Sequence, residues 1–587
     1  MKKLLTGNEA IARGAWEAGV VVCTAYPGTP STEITENAAK YPEMYAEWSP
    51  NEKVALEVGL GAAIAGGRAL VSMKHVGVNV AADPLFTLAY TGINGGLVLV
   101  SADDPGMHSS QDEQDNRHYG RAAKIPVLEP ADSQEAKEFT KLAFDLSEAF
   151  DTPVMLRTTT RVAHSQSLVE LADRKEVPIK EYEKNTAKFV MIPANARPRH
   201  LIVEDRMQKL STYAETTELN RIEWNDPSIG IITSGITYQY VKEVLPQASI
   251  LKLGMSFPLP KNLISEFAQK VTTLYVIEEL DPFFEDQIKA WGIAVQGKDT
   301  FPLFGELLPE MISAKLAPSD QQTCCHATAC ELKTEDTPPR PPVLCPGCPH
   351  RAVFYTLNKL KVTVTGDIGC YTLGCLAPLN AIDTTICMGA SIGTAIGMEK
   401  ARGKDYARKM VAVIGDSTFI HSGITPLIDA VYNKATTTTL ILDNRITAMT
   451  GHQHNPVTGF TIKGEPTKEI DLAVLAQAVG VDRVRTVDPF ALSELEQIIR
   501  EELAAEEPSV IITRRSCALI EKGTKPPYTV SEEACTGCLQ CMRLGCPCIV
   551  KQDNKKVSIN PAQCVGCGLC ATVCKFDAIR KEGGANA

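Results

Sequence analysis

The 587-residue chain is short of positive charge: 59 Lys and Arg stand against 70 Asp and Glu, a formal net charge of −11. A nucleic-acid binder needs a basic face to displace counterions from phosphates, and docking on an anionic membrane surface needs one too. Both partner classes are excluded. Long apolar runs are also missing. The longest uncharged window, Pro84 to Ala102, contains Thr, Asn and three Gly, and reads as a buried helix followed by a strand over Leu97–Val100 rather than a membrane span. The start, Met-Lys-Lys-Leu-Leu-Thr-Gly-Asn-Glu, reaches an acid too soon for the apolar stretch of a signal peptide, so the chain is expected in the cytoplasm. No solenoid-type period is visible. With 44% hydrophobic and 22% charged residues the composition is that of a globular protein, neither disordered nor fibrous. At about 150 residues per domain the length suggests about four domains.

What the chain has in excess is cysteine, 19 in all. In a reducing compartment these point to metal ligation or redox chemistry rather than disulfides. The organisation is α/β and multidomain. Residues 1–200 alternate helical patterns with the apolar strands Val20–Cys23, Ala69–Met73, Gly96–Val100 and Pro153–Leu156, separated by turn formers at Tyr26–Pro30 and Asp103–Gly106, as in a doubly wound domain. Residues 201–225 are polar and unpatterned and read as a linker. A second α/β unit over 225–316 has parallel strands Ile229–Ile232 and Leu274–Ile277, with Val241–Leu245 inside a helix. A Pro-rich connector spans 317–343. A third doubly wound unit covers 344–522, with strands Met410–Ile414, Thr438–Leu442 and Val510–Thr513, and a small α+β module covers 528–583.

Nine of the cysteines fall in that last module, as Cys535-x2-Cys538-x2-Cys541-x4-Cys546-Pro547-Cys548 and Cys564-x2-Cys567-x2-Cys570-x3-Cys574. Two-residue gaps let three thiolates converge on one cubane. In two-cluster ferredoxins, which these runs resemble, the fourth cysteine of each run crosses to the other cluster. That predicts one [4Fe–4S] on Cys535, Cys538, Cys541 and Cys574, and a second on Cys564, Cys567, Cys570 and Cys546. The first run has four residues rather than three before its last cysteine, Cys548 competes with Cys546, and Lys575 stands where Pro usually follows. The alternative, a pair of zinc ribbons, would want two separated CxxC pairs per site. Two clusters make a one-electron wire, and in an acidic chain with its clusters at one end the acceptor is a separate protein.

Strand Met410–Ile414 runs into Gly415-Asp416-Ser417, and strand Thr438–Leu442 into Asp443-Asn444-Arg445, 28 residues on from Asp416 to Asn444. Both leave the carboxyl ends of parallel strands, where open sheets place ligands. Asp416 and Asn444 supply hard oxygen donors of the kind that hold Mg²⁺ with phosphate oxygens, and Gly415 permits close backbone approach. Alone, Gly-Asp-Ser is an ordinary turn; paired, the two resemble the thiamin diphosphate motif. That resemblance implies Asp416, the Asn444 side chain and the Ile446 carbonyl as Mg²⁺ ligands. Ser417 replaces the usual Gly, tolerable if its φ stays negative.

Cys345-Pro-Gly-Cys348-Pro-His-Arg351, Gly366-Asp367-Ile-Gly-Cys370-Tyr371, Arg515-Ser-Cys517-Ala518 and Ser109-Ser-Gln-Asp-Glu-Gln-Asp115 extend the match. Together with the cysteine tail they resemble the large (α) subunits of the indolepyruvate branch of the thiamin diphosphate-dependent 2-oxoacid:ferredoxin oxidoreductases, over essentially the full length. The resemblance implies a pyrimidine-binding domain at 1–200, a transketolase C-terminal-like domain at 225–316 and a diphosphate-binding domain at 344–522. It implies Glu52, nine residues before Gly61-Ala62, as the catalytic carboxylate on the aminopyrimidine ring, with Glu57 as fallback; without it, Glu52 is a solvated acid opening a helix. Thr29 matches a substrate-contacting threonine, or else marks a turn before a helix cap. The Ser101–Asp104 segment lacks the arginine that pyruvate-using relatives place on the substrate carboxylate, which leaves that partner unidentified. Cys345, Cys348, Cys370 and Cys517 resemble the ligands of a third, proximal [4Fe–4S], although CxxC by itself fits zinc or a dithiol equally. Cys324, Cys325 and Cys330 with His326 read as solvated connector residues, and His75, His108, His421, His452 and His454 as ordinary hydrogen-bonding groups.

The implied activity is oxidative decarboxylation of an arylpyruvate with coenzyme A as co-substrate. Electrons pass through the clusters to an external ferredoxin, in an α2β2-type assembly with a smaller β subunit. Two rivals stay open: a non-oxidative thiamin decarboxylase or carboligase whose clusters are structural, and an electron-transfer subunit whose thiamin site is inactive.

Overall fold

The structure, a computed structural model, describes residues 1–316, 341–521, 523 and 525–581. The chain forms two compact units, Met1–Leu332 and Lys333–Ala587.

The first unit is built on a seven-stranded sheet in the order Met255–Phe257, Val127–Leu128, Val154–Thr159, Leu97–Asp103, Ala69–Lys74, Val22–Ala25, Tyr45–Trp48. All neighbours are parallel except the Met255–Phe257 edge. Ala69–Lys74, Leu97–Asp103 and Val154–Thr159 are buried throughout, as parallel strands with helices on both faces must be. The helices start on local signals: Thr6 and Glu9 form a reciprocal capping box for Gly7–Glu17, and Asp132 caps Ser133–Phe150. Strand order reverses between Val22–Ala25 and Ala69–Lys74, which opens a crevice at their carboxyl ends.

A second sheet in the same unit runs Thr273–Ile277, Asp226–Thr233, Ala248–Leu253, Asn220–Glu223, the first three parallel and the last antiparallel. One expectation is corrected here. Residues 201–225 are no linker: helix Pro193–Ala214 runs through them and strand Asn220–Glu223 follows. The helix buries Arg199, Val203, Arg206, Leu210 and Ala214, a stripe of helical spacing. Two of its five members are arginines, so hydropathy shows no stripe; Arg199 and Arg206 donate instead to the Tyr90 and Ala89 carbonyls at the end of helix Ala82–Thr91. In addition, Met255–Phe257 leaves its own segment to extend the seven-stranded sheet, which joins the two α/β layers in one unit.

The second unit holds a six-stranded, all-parallel sheet: Thr384–Thr385, Thr363–Gly366, Met410–Gly415, Thr438–Asp443, Ser509–Arg514, Arg483–Val487. The cysteine-rich module carries two antiparallel ribbons, Tyr528–Val530 with Ile579–Lys581 and Ile549–Lys551 with Val557–Ile559. The connector over 317–340, with Cys324, Cys325, His326 and Cys330, lies outside the described residues. Among the described residues no helix is long and apolar enough to cross a membrane.

Candidate active site

In the first unit three strand ends carry the candidate side chains. The Tyr26–Pro30 turn follows Val22–Ala25 and carries Thr29. Glu52 opens helix Glu52–Ile64 just past Tyr45–Trp48, where the Asn51 side chain accepts the Val54 N–H and fixes the helix start. Glu52 is not a solvated cap: it is 5% exposed and lies against Gly77, where a Cβ would stand 2.7 Å from its Cγ and Oε1. Glu57, by contrast, is exposed and paired with Lys53. Lys74 ends strand Ala69–Lys74, and its side chain packs on Gly28.

In the second unit four adjacent parallel strands deliver the other motifs at one edge. Asp367 follows Thr363–Gly366, Asp416 and Ser417 follow Met410–Gly415, Asn444 follows Thr438–Asp443, and Cys517 lies just past Ser509–Arg514. Ser417 sits in the helical turn Asp416–Thr418, so its side chain meets no backbone strain. The Asn444 amide lies 2.8 Å from the Ile446 carbonyl oxygen and 3.2 Å from Asp416 Oδ1. Turned nitrogen-inward it donates to both. Turned oxygen-inward, three oxygens surround one point, the donor set a small hard cation takes. Burial, with the Asp443 carboxylate beside it, pushes Asp416 up to about 8. Asp416 Oδ2 and Asp443 Oδ1 are buried and have no hydrogen-bond partner among the described residues. A carboxylate so placed needs a cation, and the site fits Mg²⁺. Gly415 has a reason of its own: the Tyr371 ring occupies the space its Cβ would take, 2.7 Å from Tyr371 Cε1.

Apart from Cys375 and Cys387, both exposed, the described cysteines of the second unit fall into three sets. Cys535, Cys538, Cys541 and Cys574 line one cavity of about 350 Å³ with apolar walls that include Val530, Leu539 and Ile579. Cys564, Cys567 and Cys570 line another of about 450 Å³, shared by both Cys546 and Cys548. Burial and the neighbouring thiols push Cys541 up to about 11 and Cys570 up to about 12. Thiols crowded in this way are inert as protonated groups but become ligands when a metal displaces the protons. The Cys570 thiol is influenced by Cys567, Cys546 and Cys564. Cys548 stands against Cys564 and Cys567 as well, and it is the resemblance to two-cluster ferredoxins that makes Cys546 the expected fourth ligand. Cys546→Ser is expected to lose about four iron atoms per chain while Cys548→Ser keeps them, measured by iron assay on anaerobically purified protein.

Cys345, Cys348, Cys370 and Cys517, spread over 172 positions of sequence, form the third set. Cys370 and Cys348 are each shifted upward by burial, with Cys345 and Cys517 adding to the effect. The Cys517 N–H donates to the Asn444 carbonyl at 2.9 Å, and Asp416 acts on the Cys517 thiol, so this set adjoins the oxygen site. On its other side Gly347, in the Cys345–Cys348 turn, packs against Val565 and Cys567. Arg351, buried, donates to the Leu344 and Cys345 carbonyls and to those of Leu544 and Gly545, tying the two cysteine loops together. Sequence spacing carries no signal for Lys74 or Gly77, because their partners, Ser109 and Glu52, come from other segments of the chain. Among the histidines, His75 is fully buried next to Lys74, and His421 donates to or accepts from Ser422 Oγ at 2.6 Å.

Three family models match parts of the chain. The family described as "Pyruvate flavodoxin/ferredoxin oxidoreductase, thiamine diP-bdg" matches residues 13–229, "Thiamine pyrophosphate enzyme, C-terminal TPP binding domain" matches 367–513, and "4Fe-4S binding domain" matches 557–580. The chain is 44% identical to the indolepyruvate oxidoreductase subunit IorA of Archaeoglobus fulgidus, over 99% of this chain and 97% of that one. It is 43% identical to the subunit of the same name from Pyrococcus horikoshii, with the same coverage, and 41% identical to that from Methanothermobacter marburgensis, again over 99% and 97%.

Proposed function

The chain belongs to the IorA family of indolepyruvate oxidoreductase subunits, and from that premise we propose that it oxidises arylpyruvates, with coenzyme A taking the acyl group. It is an oxidoreductase of the 2-oxoacid:ferredoxin class, with thiamin diphosphate-binding domains and an iron–sulfur module. The balanced reaction is 2-oxoacid plus coenzyme A to acyl-CoA, CO₂, one proton and two electrons. The electrons leave singly to an external ferredoxin. As a subunit it works with a partner, for which we propose a smaller β chain in an α2β2 assembly.

Residue roles are those the family resemblance implies. Asp416, the Asn444 side chain and the Ile446 carbonyl hold Mg²⁺, while Gly415 and Ser417 line the diphosphate. Glu52 bonds the aminopyrimidine ring and keeps a proton moving at its nitrogen, and Thr29 contacts substrate. The thiazolium of bound thiamin diphosphate supplies the electron sink. Three [4Fe–4S] clusters carry the electrons: Cys345, Cys348, Cys370 and Cys517; Cys564, Cys567, Cys570 and Cys546; Cys535, Cys538, Cys541 and Cys574. The observation that supports the reading best is the Cys517–Asn444 hydrogen bond, because it puts a redox-capable thiol set beside a cation site on one sheet edge. Cys574→Ser is expected to strip about four iron atoms per chain and to slow ferredoxin reduction more than reduction of a small viologen.

The test is anaerobic viologen reduction by the complex with its partner subunit, across a panel of 2-oxoacids with and without coenzyme A. Coenzyme A-dependent reduction with phenylpyruvate or indolepyruvate, and little with pyruvate or 2-oxoglutarate, is the expected result. Aldehyde formation with no reduction would establish the non-oxidative rival, and failure to bind thiamin diphosphate with Mg²⁺ the electron-transfer one.

A further inference from the structure

The substrate of such an enzyme is an anion, and the Ser101–Asp104 segment offers it no arginine. We propose that Lys74 is the cation that receives the 2-oxoacid carboxylate, presented beside Thr29 by the Ser109–Asp115 loop. The inference rests on the function proposed above and adds the residue that determines why a carboxylate is required.

Four observations in the first unit carry it. Lys74 is the last residue of strand Ala69–Lys74 and Thr29 lies in the loop after Val22–Ala25. These are the two strands between which chain order reverses, and ligands of open parallel sheets bind outside the carboxyl ends at that point. Secondly, the side chain is placed by packing: a Cβ on Gly28 would stand 3.1 Å from Lys74 Cβ, so the glycine next to Thr29 lets the lysine stem lie against the turn.

Thirdly, the ammonium is held but not neutralised. Nζ donates to the Ser109 carbonyl at 2.5 Å, and Ser109 Oγ donates in turn to the Thr29 carbonyl at 3.2 Å. Lys74 is 9% exposed, yet among the described residues no carboxylate oxygen lies within 4 Å of Nζ. The two acids that act on it from farther off are engaged elsewhere. Asp104 Oδ2 accepts from Ser109 N and Ser110 Oγ, and its Oδ1 accepts from Thr160; Asp112 faces His75 at 3.4 Å. A lysine ammonium has three donors and one is used, which leaves two for an incoming anion.

Lastly, leaving a cation nearly buried without an ion partner costs free energy in the empty protein, and burial accordingly lowers Lys74 to about 8. A substrate carboxylate supplies a closer countercharge than Asp104 or Asp112, so binding recovers more of that cost for molecules that carry one. The Ser-Ser-Gln-Asp motif thereby acquires a physical role: Ser109 links lysine and threonine, while Asp104 clamps Ser109.

The experiment compares Lys74→Met and Lys74→Arg with the unaltered complex on two substrates of one skeleton, phenylpyruvate and phenylacetaldehyde. The aldehyde lacks the carboxylate and reaches the same acyl-CoA by losing two protons and two electrons, with no CO₂. For Lys74→Met, kcat/KM for phenylpyruvate is expected to fall about 100-fold, mostly in KM, with the aldehyde changed less than about threefold; Lys74→Arg is expected to recover most of the loss. Equilibrium binding supplies readouts apart from turnover: phenylpyruvate binding to the cofactor-free complex weakens at least about tenfold in Lys74→Met, and thiamin diphosphate affinity holds. Equal losses on both substrates, or an unchanged phenylpyruvate KM, overturn the assignment. An unaltered complex that fails to reduce viologen with every 2-oxoacid tried overturns the function beneath it instead.

Discussion

Asp416→Ala is expected to weaken Mg²⁺-dependent retention of thiamin diphosphate by at least about 100-fold and to abolish measurable 2-oxoacid oxidation, because the oxygen cluster loses its only charge-bearing member. The substitution acts at the end of Met410–Gly415, where the carboxylate is buried, crowded by Asp443 and carries an oxygen with no partner among the described residues. Removing it relieves an electrostatic cost in the cation-free chain, so the variant is expected to fold at least as well as the original. Loss of cofactor with retained or raised thermal midpoint is therefore the diagnostic combination, read by equilibrium dialysis of thiamin diphosphate and by calorimetry on the same preparation. Iron content should not change, since no cysteine ligand is touched; a variant that loses iron as well has lost the Cys517 loop that the Asn444 carbonyl holds.

Glu52→Gln is expected to lower kcat by about 10³-fold with cofactor affinity altered less than tenfold, the pattern of a lost proton-transfer group rather than a lost binding group. Glutamine keeps the shape that fits against Gly77 but cannot hold a charge on the ring nitrogen. Gly77→Ala makes an independent check from the opposite side. Its Cβ would arrive 2.7 Å from the carboxyl group, inside any van der Waals contact, and must displace it. A loss of at least about tenfold in kcat, with the global fold intact by circular dichroism, is expected. Glu57→Gln, on the exposed face of the same helix, is expected to leave turnover within about twofold, since surface pairs of this kind contribute little.

The cysteine runs, the Gly-Asp-Ser and Asp-Asn-Arg turns and the strands that feed them were legible because each is local: the first three cysteines of a run, or the residues of one turn, sit within a few positions, and buried parallel strands are short apolar runs. Glu52 was legible only through resemblance, as nothing in its own neighbourhood distinguishes a buried acid from a solvated helix cap. The 201–225 segment misled because its inward stripe is completed by arginines that bond carbonyls of a neighbouring helix, a polar solution to burial that hydropathy registers as solvent.

Chemistry class, then, was written in the order of residues: thiol spacing points to iron–sulfur clusters, and the paired strand-end motifs resemble those of thiamin diphosphate enzymes. Which residues stand together was decided by the fold. Cys517 meets Asn444 across neighbouring strands, Gly415 yields to Tyr371, Glu52 lies on Gly77, and Lys74 reaches the Thr29 turn where strand order reverses. The reason is physical: contacts between strand ends depend on sheet order and register, which arise from burial summed over whole domains, and no window of sequence contains that sum.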